Sequence, residues 1–308
     1  MSDDRPLAAL APRPGLLSAD PVSDFDAGPP RVSFEFFPPK TREGKEKLRA
    51  TWQQLATLRP RFFSVTFGAG GSTQQGTLDT VLEIRAAGQN AAPHLSCVAS
   101  SKAEIAATLA RYRENGIRHL VALRGDMPSG LASSGELRYA NELVSFIRET
   151  TGDWFEIEVA CYPEYHPQTR DAAEEVKNFK RKIEAGANAA ITQYFFNPDA
   201  YFRFVDECAG AGIRVPIVPG IMPIGNFSQL ARFSDACGAE IPRWMRVRLE
   251  SYRDDTASIR AFGLDVVTAL CEKLLDGGAP GLHFYTLNQA VPAGTIWQRL
   301  RSYMPPKG

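Results

Sequence analysis

The chain has 308 residues, of which 44% are hydrophobic, and 35 Lys and Arg side chains balance 35 Asp and Glu. This length is ample for one large core, and a (β/α)8 barrel typically needs about 250 residues. A formal charge of zero predicts neither nucleic acid nor an anionic membrane as a partner. The sequence has no run of about 18 apolar residues, so we predict no membrane-spanning segment.

The amino terminus and the cysteines indicate a cytoplasmic protein. Asp3, Asp4 and Arg5 open the chain, which is not the basic and then apolar pattern of a secretory leader. The five cysteines are dispersed, odd in number and without CxxC spacing, which favours reduced, buried side chains over disulfides or a zinc site. Residues 1–29 lack periodicity and are rich in Pro, Ala, Asp and Gly. We predict a mobile tail there, followed by one catalytic domain over residues 30–308.

Short apolar runs alternate with longer amphipathic segments from residue 30 onward. Runs rich in Val, Ile, Leu and Phe are typical of parallel strands that are buried on both faces. Strands are predicted at residues 32–37, 62–67, 94–99, 119–123, 155–161, 189–195, 215–221 and 281–285. Helices are predicted at residues 44–58, 77–87, 103–115, 140–150, 171–185, 198–211, 227–236, 242–252, 258–275 and 293–303.

This alternation predicts an α/β fold, a (β/α)8 TIM barrel in a single domain. Strand–helix–strand units are right-handed, and eight of them favour closure into a barrel, with an extra helix at residues 242–252 before the last βα unit. The alternative is an open doubly wound sheet. That fold usually has a Gly-rich turn after its first strand, whereas Pro38, Pro39 and Lys40 follow here and cannot cradle a pyrophosphate.

Glu35 is the most informative polar residue, because barrel active sites lie at the carboxyl ends of the strands. Strand alternation points Glu35 into the barrel mouth and its neighbours Phe34 and Phe36 toward the helices. Burial among phenylalanine rings is expected to raise the pKa of this carboxyl, which suits a general acid near neutral pH. The alternative interpretation of Glu35 is a structural ion pair at the base of the barrel.

Other polar segments carry weaker signals. Asp126 follows Gly125, a residue that allows close backbone approach to a ligand. The same pattern is equally compatible with an aspartate that forms a turn or caps a helix. Residues 68–72 are compatible with a phosphate loop or an ordinary βα loop. Basic residues 177–182 are compatible with a phosphate clamp or a solvated helix face. The strand ends bring together neither a Ser–His–Asp set nor a Cys–His pair, and no HExxH pattern occurs, which disfavours hydrolysis.

The motifs at the strand ends, taken together, resemble the methylenetetrahydrofolate reductase family in its bacterial, catalytic-domain form. The matching stretches are SFEFFPPK at 33–40, SVTFGA at 64–69, APHLSC at 92–97, GIRHLVALRGD at 116–126, ACYPE at 160–164, AGANAAITQ at 185–193, VPGIMP at 218–223 and HFYTLN at 283–288. They occur in order from residue 31 to about residue 303. Each is modest alone, but the set is specific.

The resemblance implies an FAD-dependent oxidoreductase of folate one-carbon metabolism and methionine biosynthesis. NADH or NADPH would reduce the flavin, which would then pass a hydride to 5,10-methylenetetrahydrofolate in a ping-pong scheme, giving 5-methyltetrahydrofolate. The sequence does not distinguish NADH from NADPH. The family also implies a homo-oligomer, and inhibition by S-adenosylmethionine is expected to be absent.

The resemblance also implies roles for individual residues. Glu35 matches the general acid that protonates the folate nitrogen, and Asp126 matches the acid beside the flavin and the pterin. Substrate contacts are implied at Glu35, Asp126, Gln193, Gln229, Phe233 and Gln289. Flavin contacts are implied at Thr66, His94, Leu123, Arg124, Gly125, Asp126, Tyr139, Ala140, Tyr162, His166, Glu175, Asn178, Arg181 and Lys182, of which Arg181 and Lys182 would meet the phosphates.

Three positions depart from the family pattern. Gln289 stands where the family often has Arg, which puts one folate contact in doubt. Residues 75–76 replace an Asp-Arg pair, and Glu175 replaces a shorter acid. Two other interpretations stay open: a barrel flavoprotein of the proline dehydrogenase type, and a folate-pathway relative that keeps the fold without catalysis.

Overall fold

The computed structural model describes residues 31–67, 71–125, 135–169 and 171–303. The predicted tail at residues 1–29 and the predicted catalytic residue Asp126 lie outside the described residues, as does the Gly-rich segment at residues 68–70. These predictions are left as they stand.

Parallel strands form the centre of the molecule. The strands are β1 (Arg31–Phe36), β2 (Phe63–Val65), β3 (Ala91–Ser96), β4 (His119–Leu123), β5 (Glu156–Cys161), β6 (Ala189–Thr192), β7 (Ile217–Val218), β8 (Gly220–Ile221) and β9 (Gly281–Tyr285). Their order is β7-β6-β5-β4-β3-β2-β1-β9-β8, with every pairing parallel.

The seventh strand position closes the barrel. β7 pairs with β6 and β8 pairs with β9, yet only Pro219 separates β7 from β8 along the chain. Proline has no N–H to give to a ladder, which splits this strand in two. The carbonyl of Pro219 still accepts a bond from the His283 N–H at 3.0 Å. The two halves of the seventh strand therefore connect the two edges of the sheet. The predicted (β/α)8 barrel is confirmed.

Ten helices are found in the described part of the chain, and they surround the strands. They are α1 (Arg42–Ala56), α2 (Gly71–Ala86), α3 (Lys102–Glu114), α4 (Ala140–Thr151), α5 (Ala172–Glu184), α6 (Pro198–Gly210), α7 (Phe227–Cys237), α8 (Arg243–Ser251), α9 (Thr256–Asp276) and α10 (Ala290–Tyr303). Helix α8 is the extra helix that the sequence predicted before the last βα unit. None of the helices described here is both long and apolar enough to cross a membrane.

Local sequence explains where several helices begin. Ser101 and Glu104 form a reciprocal capping box at the start of α3, and Asp171 and Asn226 cap α5 and α7 through their side-chain oxygens. Each cap supplies an acceptor for an N–H that has no partner inside the helix.

The main core lies between the strands and the helices. Phe34 and Phe36 on β1 are buried there, and the Phe34 ring lies 5.8 Å from Phe284 and 6.0 Å from Phe63. Glu35 points the other way and lines a cavity in the barrel mouth. The alternation predicted for β1 is therefore confirmed.

Several element boundaries differ from the prediction, and those of β3 and α2 differ most. Strand β3 begins at Ala91 rather than at residue 94, because Ala91, Ala92 and Pro93 pair with β2. It ends earlier than predicted, and Ala99 has a φ of 57°, which ends extended backbone. Helix α2 begins at Gly71 rather than at residue 77, so it starts closer to the end of β2.

Candidate active site

A cavity of about 980 Å³ opens at the carboxyl ends of the strands. Every predicted flavin contact that lies within the described ranges lines it, namely Thr66, His94, Leu123, Arg124, Gly125, Tyr139, Ala140, Tyr162, His166, Glu175, Asn178, Arg181 and Lys182. Glu35, Gln193 and Phe233 line the same cavity. Residues that are distant in sequence are thus brought together at the barrel end that the sequence predicted.

Two predicted substrate contacts do not line this cavity. Gln229 is half-buried on the first turn of α7, where its backbone N–H is capped by the side chain of Asn226. Gln289 is exposed just before α10, and its N–H donates to the Thr286 carbonyl at 2.9 Å. Their roles toward folate stay predictions.

Glu35 lies in a cluster with two histidines at the floor of the cavity. Its Oε2 is 3.4 Å from Nε2 of His94 and 3.5 Å from Nε2 of His283. Ser33 Oγ lies 2.7 Å from the other ring nitrogen of His283, Nδ1. In the pairing of β1 with β9, Ser33 is opposite His283 and Glu35 is opposite Tyr285. Ser33 therefore fixes the His283 ring, whose far nitrogen faces the carboxylate.

The histidines reverse the predicted pKa shift of Glu35. Burial raises the pKa of this carboxyl, but the contact with His283 Nε2 at 3.5 Å and the electrostatic effect of His94 and His283 together lower it below its ordinary value. The prediction of a raised pKa was therefore wrong. It considered the phenylalanines next to Glu35 in sequence and not the imidazoles that reach it from β3 and β9. Burial lowers the pKa of His94 below its ordinary value, and the nearby Glu35 carboxylate offsets this effect only in part.

Cationic side chains form one wall of the cavity. Lys182 on α5 is half-buried, and its Nζ donates to the carbonyl of Ala160 at 2.8 Å. Burial lowers the pKa of Lys182, while Glu175 nearby raises it. Arg124 donates to Oε1 of Gln168 at 2.7 Å, and Arg181 also lines the cavity.

Both interpretations of the basic stretch at residues 177–182, a phosphate clamp and a solvated helix face, therefore apply to part of it. Arg181 and Lys182 line the cavity, as a phosphate clamp requires. Lys180 is 44% exposed and forms an i,i+4 pair with Glu184, as expected of a solvated helix face.

Gly125 shapes the cavity next to the cationic wall. Its φ is 84°, a conformation that favours glycine, and a Cβ at this position would overlap Ser96 Oγ. A side chain is therefore excluded, and Gly125 lines the cavity with its backbone.

The opposite wall combines an amide with an aromatic ring. The backbone N–H of Gln193 donates to the Cys161 carbonyl at 2.8 Å, which holds the residue at the end of β6. Its neighbour Tyr194 is 3.0 Å from Ser234 through their hydroxyl oxygens, and Ser234 adjoins Phe233 on α7. This contact holds the Phe233 helix against the barrel. A flat ring and an amide suit planar, hydrogen-bonding ligands.

The predicted site set omitted His283 and Ser33. Strand alternation could have indicated both residues. Ser33 is two residues from Glu35 and His283 is two residues from Tyr285, so each shares the inward-facing side of its strand. Tyr285 also lines the cavity, and its hydroxyl donates to the Thr192 carbonyl across the barrel at 2.7 Å.

The opposite end of the barrel holds a separate charge network. Arg61 donates to Glu158 at 2.7 Å and also to Glu156, and His119 lies 3.1 Å from Glu158. His119 and the two carboxylates have ligand atoms within 4.8 Å of one another, a spacing that could hold a metal ion. The guanidinium already supplies the cation that they share. The ion pair at the barrel base thus belongs to Glu158 and not to Glu35.

The fold and the cavity define a class: a (β/α)8-barrel enzyme in which a half-buried carboxylate–imidazole cluster and a cationic wall line one cavity. Residues 22–301 match the family model described as methylenetetrahydrofolate reductase. The chain belongs to the methylenetetrahydrofolate reductase family.

Sequence relatives agree with this assignment. The 5,10-methylenetetrahydrofolate reductases of Salmonella typhimurium and Escherichia coli are each 42% identical over 270 residues, which is 87% of this chain and 90% of theirs. Methylenetetrahydrofolate reductase (NADH) 1 of Arabidopsis thaliana is 38% identical over 281 residues, which is 85% of this chain but 47% of the plant protein. Family and relatives together support methylenetetrahydrofolate reductase activity.

A solved structure shares the fold. It is an uncharacterized protein from Clostridium thermocellum, whose title says that it binds two copies of 5-methyl-5,6,7,8-tetrahydrofolic acid. The two structures align with a TM-score of 0.64 at 16% identity, covering 90% of this chain and 96% of that one. At this identity the likeness concerns the fold.

Proposed function

We propose that this chain reduces 5,10-methylenetetrahydrofolate to 5-methyltetrahydrofolate with NADH or NADPH, through FAD, in a ping-pong sequence. The observation that carries the proposal is that the Glu35 cluster and the cationic wall open on one cavity. The names of the bacterial relatives supply the folate substrate, and that of the plant relative includes NADH.

The residues that are present fit FAD. Arg124, Arg181 and Lys182 supply cations for a pyrophosphate, and Gly125 leaves its backbone accessible beside them. A bound flavin would supply the two-electron carrier that takes hydride from one substrate and gives it to the next.

Within this proposal, Glu35 delivers a proton to the folate nitrogen. Because its pKa is lowered, only a small fraction of Glu35 carries this proton at neutral pH. Ser33 orients His283 for this transfer. Asp126 would orient the pterin, a role that the family resemblance alone supports.

Gln193 and Phe233 would bind the two substrates in turn. A phenylalanine ring accepts the flat face of either a nicotinamide or a pterin, and an amide can donate to one and accept from the other. A surface that binds the two substrates in turn fits a ping-pong sequence.

Spectroscopy tests the proposed function directly. The purified protein should be yellow, NADH or NADPH should bleach the flavin absorbance anaerobically, and methylenetetrahydrofolate should restore it. A proline-derived imine should not restore it, which separates this function from that of a proline dehydrogenase. A protein that stays colourless after incubation with FAD would overturn the proposal.

Lys182→Met should weaken FAD binding. Methionine keeps a buried stem of similar length but removes the ammonium, and a hydrogen bond to a charged group contributes about 1.5–3 kcal/mol, or roughly 10- to 100-fold in Kd. Flavin content after dialysis and fluorescence titration with FAD measure the effect. The control is Lys180→Met on the same helix, whose side chain is solvated. Equal FAD affinity in both variants would contradict the clamp.

His283→Asn should move the pH profile of folate reduction to higher pH. The contact with His283 is the largest influence that lowers the pKa of Glu35, so its removal raises that pKa. The acid form of Glu35 then persists to higher pH, and the basic limb of the profile shifts upward. Rapid-mixing measurements from pH 6 to 9 test this, with His119→Asn, the same substitution at the opposite end of the barrel, as the control. An unchanged basic limb would mean that another group sets it.

A further inference from the structure

A second cavity, of about 610 Å³, opens at the amino ends of the strands, on the opposite side of the barrel from the candidate active site. Its lining includes one carboxylate, Glu156, and six arginines: Arg31, Arg59, Arg61, Arg85, Arg118 and Arg301. The chain as a whole has equal numbers of acidic and basic residues. This cavity therefore concentrates positive charge that the composition does not reveal.

Only part of this charge is neutralised within the protein. Arg61 is used by Glu156 and Glu158, and Arg85 donates to the Gly116 carbonyl at 2.9 Å. Arg59, Arg118 and Arg301 are exposed and make no ion pair with any other residue that the structure describes.

The unpaired arginines are placed by specific local structure. Arg59 has a φ of 54°, in the left-handed region where glycine is the usual residue after a helix. The guanidinium of Arg118 stacks on the ring of Trp154, 3.3 Å from its centroid. Stacking holds the plane of the guanidinium and leaves its edge N–H groups free to donate.

We propose that this cavity binds a polyphosphate group, either free or as the di- or triphosphate of a nucleotide. The three unpaired guanidiniums come from three separate elements, the α1–β2 loop, the α3–β4 loop and α10. Each guanidinium can bind one phosphate through two parallel hydrogen bonds. A chain of phosphates can contact several of these guanidinium groups at once, whereas a single phosphate or carboxylate cannot. The site is independent of the flavin cavity at the other end of the barrel.

An acidic part of the chain itself is the competing occupant. Residues 1–30 lead into the cavity-lining Arg31, and they contain five aspartates, Asp3, Asp4, Asp20, Asp24 and Asp26, against two arginines, Arg5 and Arg13. The experiment must therefore distinguish an added polyphosphate from these carboxylates.

Calorimetric titration of the full-length protein with inorganic tripolyphosphate, in saturating FAD and at low salt, tests the proposal. The wild type should bind tripolyphosphate, and Arg59→Gln/Arg118→Gln should bind it at least about tenfold more weakly, because two charged contacts are lost. Both substituted side chains are exposed, and thermal unfolding checks that the variant folds. Arg260→Gln, at an exposed position on α9 outside the cavity, is the matched control and should bind as the wild type does.

Three results would overturn the proposal. The first is unchanged affinity in Arg59→Gln/Arg118→Gln. The second is loss of binding in Arg181→Gln instead, which would place the tripolyphosphate at the active-site end. The third is binding that requires Asp20→Asn/Asp24→Asn/Asp26→Asn, which would show that the chain's own aspartates fill the cavity. If binding maps to the cavity, comparing ATP with tripolyphosphate identifies the source: tighter ATP binding indicates a nucleotide, and equal binding indicates the phosphates alone.

Discussion

Glu35→Gln is expected to slow methylenetetrahydrofolate reduction by about 10²- to 10⁴-fold, the usual contribution of a general acid, while flavin reduction by NADH changes little. Glutamine has the size of glutamate but cannot transfer a carboxyl proton. Hydride transfer from a nicotinamide requires no such proton. The two half-reactions should therefore separate in this variant.

The surroundings of Glu35 make this substitution informative. His94 and His283 approach the same carboxylate oxygen, at 3.4 and 3.5 Å. Because these imidazoles lower the pKa of Glu35, acid catalysis depends on the carboxyl and its partners acting together. An amide removes the charge that links them and leaves the cavity shape unchanged.

Stopped-flow absorbance of the flavin follows each half-reaction separately. The control is Glu175→Gln, the same substitution at another buried carboxylate that lines the cavity. It should alter flavin affinity without changing the ratio of the two half-reaction rates. If Glu35→Gln slows both half-reactions equally, Glu35 positions a ligand and does not donate the proton.

The overall fold was predictable because its determinants are local. Buried strands such as β4 read as continuous apolar runs, and caps such as Ser101 and Asp171 mark helix starts. The split of the seventh strand at Pro219 also has a local cause in the missing N–H. The start of β3 was predicted three residues too late, because Ala91, Ala92 and Pro93 also pair with β2.

The candidate site was predictable to the level of strand ends and no further. A sequence shows which residues follow each strand, and those residues do line the cavity. It does not show which inward side chains meet across the barrel. His94 reaches Glu35 from β3, which does not pair with β1. The pKa of Glu35 therefore required the structure, since its sign is set by contacts between residues far apart in the chain.

The same limitation concealed the charge network at the barrel base. In that network, Arg61→Leu should destabilise the protein by about 3–5 kcal/mol. The Arg61 side chain is 9% exposed and that of Glu158 only 1%, so the substitution leaves a buried carboxylate without its guanidinium. Burial raises the pKa of Glu158, but a hydrogen bond from His119 and the charges of His119, Arg61 and His283 lower it more. A lowered pKa in the folded state means that the ionised carboxylate stabilises the fold.

The pH dependence follows from that sign. The stabilisation by Glu158 is complete above the pKa of an unfolded glutamate, about 4.3, and is lost as the pH falls through the lower pKa of the folded state. The stability gap between the wild type and Arg61→Leu should therefore be widest near pH 7 and narrow below about pH 4. Urea unfolding at a series of pH values measures it. The control is Arg49→Leu, whose pair with Glu83 lies on the surface and should contribute little to stability. Equal losses of unfolding free energy in Arg61→Leu and Arg49→Leu would contradict this prediction. They would show that the Arg61 pair contributes no more than an exposed surface pair does.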